Sequence, residues 1–169
     1  MTGRGQIILG ILFGFVAIGL WMVIVPGLFE NAVADVDWLA FGLRWAALVQ
    51  LPLIAGIVVV SQQCFWSSVH ADGSTPNIGS SIEINRRYLT NTLEQSVLST
   101  VGLLALSITV PLQYLGFVPA LGILFVIGRI CFWVAYHINP YARAFGLVLT
   151  FGPTLGVYVY IIQGLIISI

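Results

Sequence analysis

Arg87, Asn91 and Glu94 stand at i, i+4 and i+7 within the stretch RRYLTNTLEQS, residues 86–96. A helix turns about 100° per residue, so the three share a stripe roughly 60° wide that covers about 10 Å of one helix. The stripe offers a cation, an amide and an anion. Such a line suits a zwitterionic, peptide-like ligand whose carboxylates meet arginine and whose amino group meets glutamate. Glu83 lies one turn before Arg87 and is spaced to pair with it. The same side chains would also serve as a polar network that fixes the register of neighbouring helices. From the residues alone, ligand site and structural network carry equal weight.

Two more arginines extend the constellation. Arg129 shares a helical face with Tyr136, at i and i+7, with Phe132 between them. It is the most deeply placed cation, and either touches a ligand or closes a salt bridge to Glu94 or Glu83. Arg143 falls in the first turn of the last helix, where a cation opposes the positive end of the helix dipole. An anion bound between the two, a thiolate or a carboxylate, removes the conflict. A lipid phosphate met by a snorkelling arginine fits the position as well. His70 and His137 have no second histidine or paired acid at metal-ligand spacing, and only Asp72 is near His70, so no metal site is expected. Cys64 and Cys131 end apolar runs and read as small buried hydrophobes. No Ser/His/Asp or Cys/His signature and no phosphate-loop pattern is present.

These polar groups are scarce. Of 169 residues, 59% are hydrophobic and only 7% are charged. A soluble domain carries roughly a quarter charged residues, so this chain reads as an integral membrane protein. The formal net charge is zero, which leaves no basic footprint for nucleic acid. All six cations are arginine, so lysine chemistry such as a Schiff base is excluded.

Five apolar segments must position the site. The first, 7–29, is too long for a signal-peptide core of about 7–15 residues and reads as a retained span. An acidic link, 30–40, leads to a second span at 41–64, and the Ser/Gly/Asn/Pro-rich stretch 65–81 reads as a water-facing loop. The uninterrupted apolar part of the third span, Val97 to Val110, falls short of the ~20 residues a bilayer requires. That helix must borrow length from INRRYLTNTLEQS, which draws Asn91 and Glu94 into the membrane boundary, facing protein or a wet cavity. Pro111 and Pro119 bracket a turn, a fourth span runs over 118–138, and a fifth fills 140–167. Asn139 and Pro140 are expected as N-cap and first helical residue of that last helix. With the N-terminus inside, Arg4, Arg86, Arg87 and Arg143 fall on the cytoplasmic side. No internal repeat of the kind many transporters show is visible.

The segment RRYLTNTLEQ resembles the second-helix signature of the MAPEG family, the membrane-associated proteins in eicosanoid and glutathione metabolism. That signature places arginine, then asparagine four later, then glutamate three later, here Arg87, Asn91 and Glu94. GRICFWVAYHINPYARAFG, residues 128–146, resembles the family's third helix and its turn into the fourth. The resemblance implies an all-α integral membrane fold: a four-helix bundle over 41–169, with residues 1–40 as an extra N-terminal transmembrane helix and acidic link. It implies a homotrimer with glutathione bound between subunits near the cytoplasmic face. By the same resemblance Arg87, Asn91 and Glu94 hold glutathione, Arg129 and Tyr136 contact it from the third helix, and Arg143 stabilises its thiolate. The implied activity is a glutathione transferase or peroxidase acting on lipophilic small molecules drawn from membrane lipids. Two departures weigh against part of this. Phe132 replaces a tyrosine of the eicosanoid-making members, and the loop at 65–81 lacks the arginines they carry there. The alternative is a non-enzymatic lipid-binding or scaffold protein of the same family.

Overall fold

The computed structural model of the chain describes residues 3–32, 37–66 and 79–167. It contains six α-helices: α1 (Gly3–Ile24), α2 (Trp38–Val49), α3 (Leu51–Trp66), α4 (Ser81–Thr109), α5 (Phe117–Ile138) and α6 (Arg143–Ile167). No strand occurs among the described residues. Taken with the short 3₁₀ turns at Pro26–Ala32 and Leu112–Tyr114, they form five segments long and apolar enough to cross a bilayer. The protein is an all-α, multi-pass membrane protein, as the hydropathy pattern predicts. Most of the expected loop at 65–81 lies outside the described residues, and so do His70 and Asp72.

Local chemistry sets the helix ends. Pro26 cannot donate a backbone hydrogen bond, and α1 gives way there to a 3₁₀ turn. Asp37 caps α2 by accepting from the Ala40 amide at 3.0 Å. Ser80 caps α4 in the same way, accepting from the Glu83 amide at 3.4 Å. The third span does borrow polar length. Its helix runs 29 residues, about 43 Å, so Glu94 lies close to its middle.

Two boundaries differ from the sequence reading. The second span, expected as one helix over 41–64, breaks at Gln50 between α2 and α3. Pro52 has no amide to continue the ladder, and the Gln50 amide turns back to Ala47 O at 3.1 Å. The Tyr88 hydroxyl donates to Pro52 O at 3.2 Å from across the bundle. At the other boundary, α6 begins at Arg143 rather than at Pro140. Residues 139–142 form a tight turn in which Asn139 Oδ1 accepts from the Tyr141 amide at 3.0 Å.

α4 sits at the centre, against α2, α3, α5 and α6, while α1 lies along α6. Small residues let α5 and α6 meet backbone to backbone. A Cβ on Gly146 would sit 2.6 Å from the Gly128 carbonyl oxygen and would collide with the Phe132 backbone. Gly10 and Gly14 let α1 approach Phe145 and Val148 of α6, where an added Cβ would lie 3.2 Å from the Phe145 amide nitrogen and 2.8 Å from a Val148 methyl carbon. The interior is divided by level. Phe41, Val49, Leu106 and Val118 belong to an apolar cluster at the end away from Arg129 and Arg143. Tyr88, Phe132 and Tyr136 form an aromatic cluster at the arginine-bearing end.

Candidate functional site

The buried face of α4 follows a helical period through Asn85, Tyr88, Thr92, Gln95, Ser99 and Leu103. The stripe of Arg87, Asn91 and Glu94 runs along a neighbouring face. Arg87 and Glu94 are exposed on the single chain, and Asn91 is half-buried. Glu94 has no hydrogen bond or ion pair among the described residues. The stripe thus points outward from its own bundle, at a depth where lipid cannot solvate a carboxylate.

Three of the anticipated residues converge at the arginine-bearing end. The Arg143 guanidinium lies over the Tyr136 ring, 4.5 Å from its centroid. The Tyr136 hydroxyl also lies within interaction range of the Arg87 guanidinium. Arg87 pairs with Glu83 at 2.5 Å, one turn earlier, as its spacing predicts. Arg143 has no carboxylate partner among the described residues. Two cations therefore flank one tyrosine at an open rim, and one of them has no counter-charge among the described residues.

Arg129 occupies a different setting. It is 0% exposed. Its Nη1 donates to Asn91 Oδ1 at 2.8 Å and its Nη2 donates to the Thr150 hydroxyl of α6. Its carbon lies 4.8 Å from the Phe132 ring centroid and 5.7 Å from that of Phe125. Nε is buried without a partner. The salt bridge to Glu83 or Glu94 considered for Arg129 is not formed: Glu83 is held by Arg87, and Glu94 faces outward. The contact with Asn91 has a chemical consequence. Because Arg129 occupies the Asn91 oxygen, what the amide has left to offer is its two N–H donors, which have no partner among the described residues.

Phe132 connects the two settings, packing edge-on against Tyr136 at 5.8 Å and beneath Arg129. A second polar hub lies nearby. Asn85 Oδ1 meets Trp133 Nε1 at 2.7 Å and His137 Nε2 at 2.9 Å, and Asn85 Nδ2 donates to Gln63 at 3.0 Å. His137, exposed at the end of α5, thus takes part in an interhelix network. Neither this hub nor the Thr150 partner of Arg129 is evident in the sequence, although Asn85 does fall on the buried period of α4. Cys64 and Cys131 are free and only partly buried, and Arg86 Nη2 lies 3.7 Å from the Cys64 sulfur.

The family model described as "MAPEG family" matches residues 39–163. The chain belongs to the MAPEG family. Within this family member, α1 lies outside the matched region. Among curated proteins, transmembrane protein 79 of Mus musculus is 30% identical over 124 residues, covering 72% of this chain and 31% of that protein. Transmembrane protein 79 of Bos taurus is 26% identical over 157 residues, covering 85% of this chain and 39% of that protein. The chain thus spans about a third of the length of the curated relatives it matches. No solved structure matches it significantly.

Proposed function

We propose that this MAPEG protein is a membrane-bound glutathione transferase, with peroxidase activity toward lipid hydroperoxides as a related outcome of the same site. In this reading glutathione is the co-substrate, and Arg143 holds its thiolate. The observation that carries the reading is Arg143 itself: a cation in the first turn of α6, stacked on Tyr136, with no carboxylate partner among the described residues. A free thiol has a pKa of about 8.5, and a nearby cation raises the thiolate fraction at neutral pH. Arg87 and the N–H groups of Asn91 then meet the carboxylates of the peptide, and Glu94 meets its amino group. Arg129 and Tyr136 act from α5, Arg129 by fixing the Asn91 amide and Tyr136 by seating both rim arginines.

The outward face of the stripe supports assembly into a homotrimer. Glu94 lies near the middle of a membrane-spanning helix with no partner among the described residues, and a second copy that completes the site would cover it. Arginine placement supports a cytoplasmic position for this rim. Lipophilic electrophiles would arrive from the bilayer, where such co-substrates concentrate.

Arg143→Ala tests the assignment. The variant is expected to assemble normally and to lose the ultraviolet absorbance of bound glutathione thiolate. An unchanged thiolate signal would refute the role. A second reading, a non-enzymatic lipid-binding or scaffold protein, draws support from the Glu83–Arg87 pair, which already neutralises one rim cation, and from Phe132. Calorimetry separates the two, since the binder would give no heat with glutathione.

A further inference from the structure

The apolar end of the bundle contains a groove of about 470 Å³ between α1, α4, α5 and α6. Ile18 and Met22 of α1, Leu106 and Val110 at the end of α4, and Pro153 and Gly156 of α6 line it. No charged residue lines it. Two tyrosines, Tyr114 and Tyr160, stand among its lining residues. Both are exposed, and neither hydroxyl has a hydrogen-bond partner among the described residues.

Its level in the membrane follows from helix geometry. Pro153 lies ten residues along α6 from Arg143, about 15 Å, and Tyr160 lies about 26 Å along the same helix. With a hydrocarbon core of ~30 Å, the groove runs from the midplane to the interface opposite Arg143. Tyr114 is at the same level, in the turn between α4 and α5. Paired tyrosines at that depth are placed to meet headgroups.

We propose that this groove holds one acyl chain of a bilayer phospholipid, with Tyr114 and Tyr160 hydrogen-bonded to its ester region. The depth of one leaflet and the absence of charge fit a tail that descends from a headgroup at the tyrosines. Hydrocarbon left out of the groove would forfeit dispersion contacts on every wall. Lipid tails are as apolar as the groove, so shape and the two hydroxyls, rather than hydrophobicity, retain the occupant. Gly156 matters to that shape: a Cβ there meets nothing within 4 Å, so its missing side chain leaves room for the tail. The wall from α1 lies outside the family-matched residues, which makes the site a property of the added helix.

The test reconstitutes the full chain in phosphatidylcholine bilayers doped with a phosphatidylcholine that carries a diazirine in its acyl chain, and maps photolabel by mass spectrometry. Peptides containing Met22, Leu106 and Val157 are expected to label about tenfold more than those containing Ile54 and Ile57 on the exposed side of α3. Gly156→Leu, which builds a side chain out from a position where a Cβ meets nothing within 4 Å, is expected to lower groove labelling to the α3 level while leaving α3 labelling unchanged. Tyr160→Phe is expected to lower it by about threefold. Uniform labelling of groove and α3, or full groove labelling in Gly156→Leu, would overturn the proposal. So would a photoreactive sterol that labels the groove and is not displaced by phosphatidylcholine, or chain-to-chain crosslinks at these residues.

Discussion

Arg129 and Arg143 present the same guanidinium to opposite surroundings. Arg129 is 0% exposed, and its terminal nitrogens are committed to Asn91 and Thr150. Arg143 is exposed, touches the face of Tyr136, and leaves its hydrogen-bond donors uncommitted among the described residues. Neither has a carboxylate partner there. The difference separates two uses of a cation in a membrane. A buried cation whose bonds all go to its own chain shapes the bundle, while a cation at an open rim can meet an anion from outside. Under the proposed function, Arg129 prepares the Asn91 amide and Arg143 receives the thiolate.

The comparison predicts how each site fails. The largest effect on stability is expected from Arg129→Ala, which removes two charge-assisted bonds and opens a cavity, at a cost of about 2–5 kcal/mol. Arg129→Met should recover most of that loss, because an apolar side chain of similar volume avoids the cost of a buried charge. Thermal unfolding of both variants in detergent measures the gap, and equal destabilisation would contradict the assigned role. Gly146→Ala should cost about 1–3 kcal/mol by forcing α5 and α6 apart. Because that crossing seats both arginines, the variant should lose glutathione binding as well as stability, and titration of the folded fraction checks this. Asn85→Ala should cost about 1–2 kcal/mol by leaving Trp133, His137 and Gln63 without their partner, yet spare the rim. Arg143→Ala should change stability by no more than about 0.5 kcal/mol, which sharpens the contrast with Arg129.

Much of the architecture was legible in the sequence because lipid imposes a length. Val97 to Val110 cannot span a bilayer, so α4 had to recruit its polar half, and it does from Ser81 onward. The break at Gln50 was harder to see: Pro52 is visible in the sequence, but hydropathy is continuous across it. Among site residues, the pairing of Glu83 with Arg87 followed from helical spacing alone. The bond from Arg129 to Asn91 did not, since it joins α5 to α4 across 38 residues. Its Thr150 partner depends on the crossing at Gly128 and Gly146, which no periodicity reports. The outward face of Glu94 escaped for a related reason, because spacing defines a stripe but not the side of the bundle it faces.

The central claim, that the open rim takes glutathione as a thiolate, is tested most directly by calorimetry in buffers of different ionisation enthalpy. Glutathione is titrated at neutral pH into the detergent-solubilised wild-type chain and into Arg143→Ala. Saturable heat with proton release in the wild type, and no proton release in the variant, is the predicted result. An absence of heat in the wild type, or the same proton release from both proteins, would contradict it.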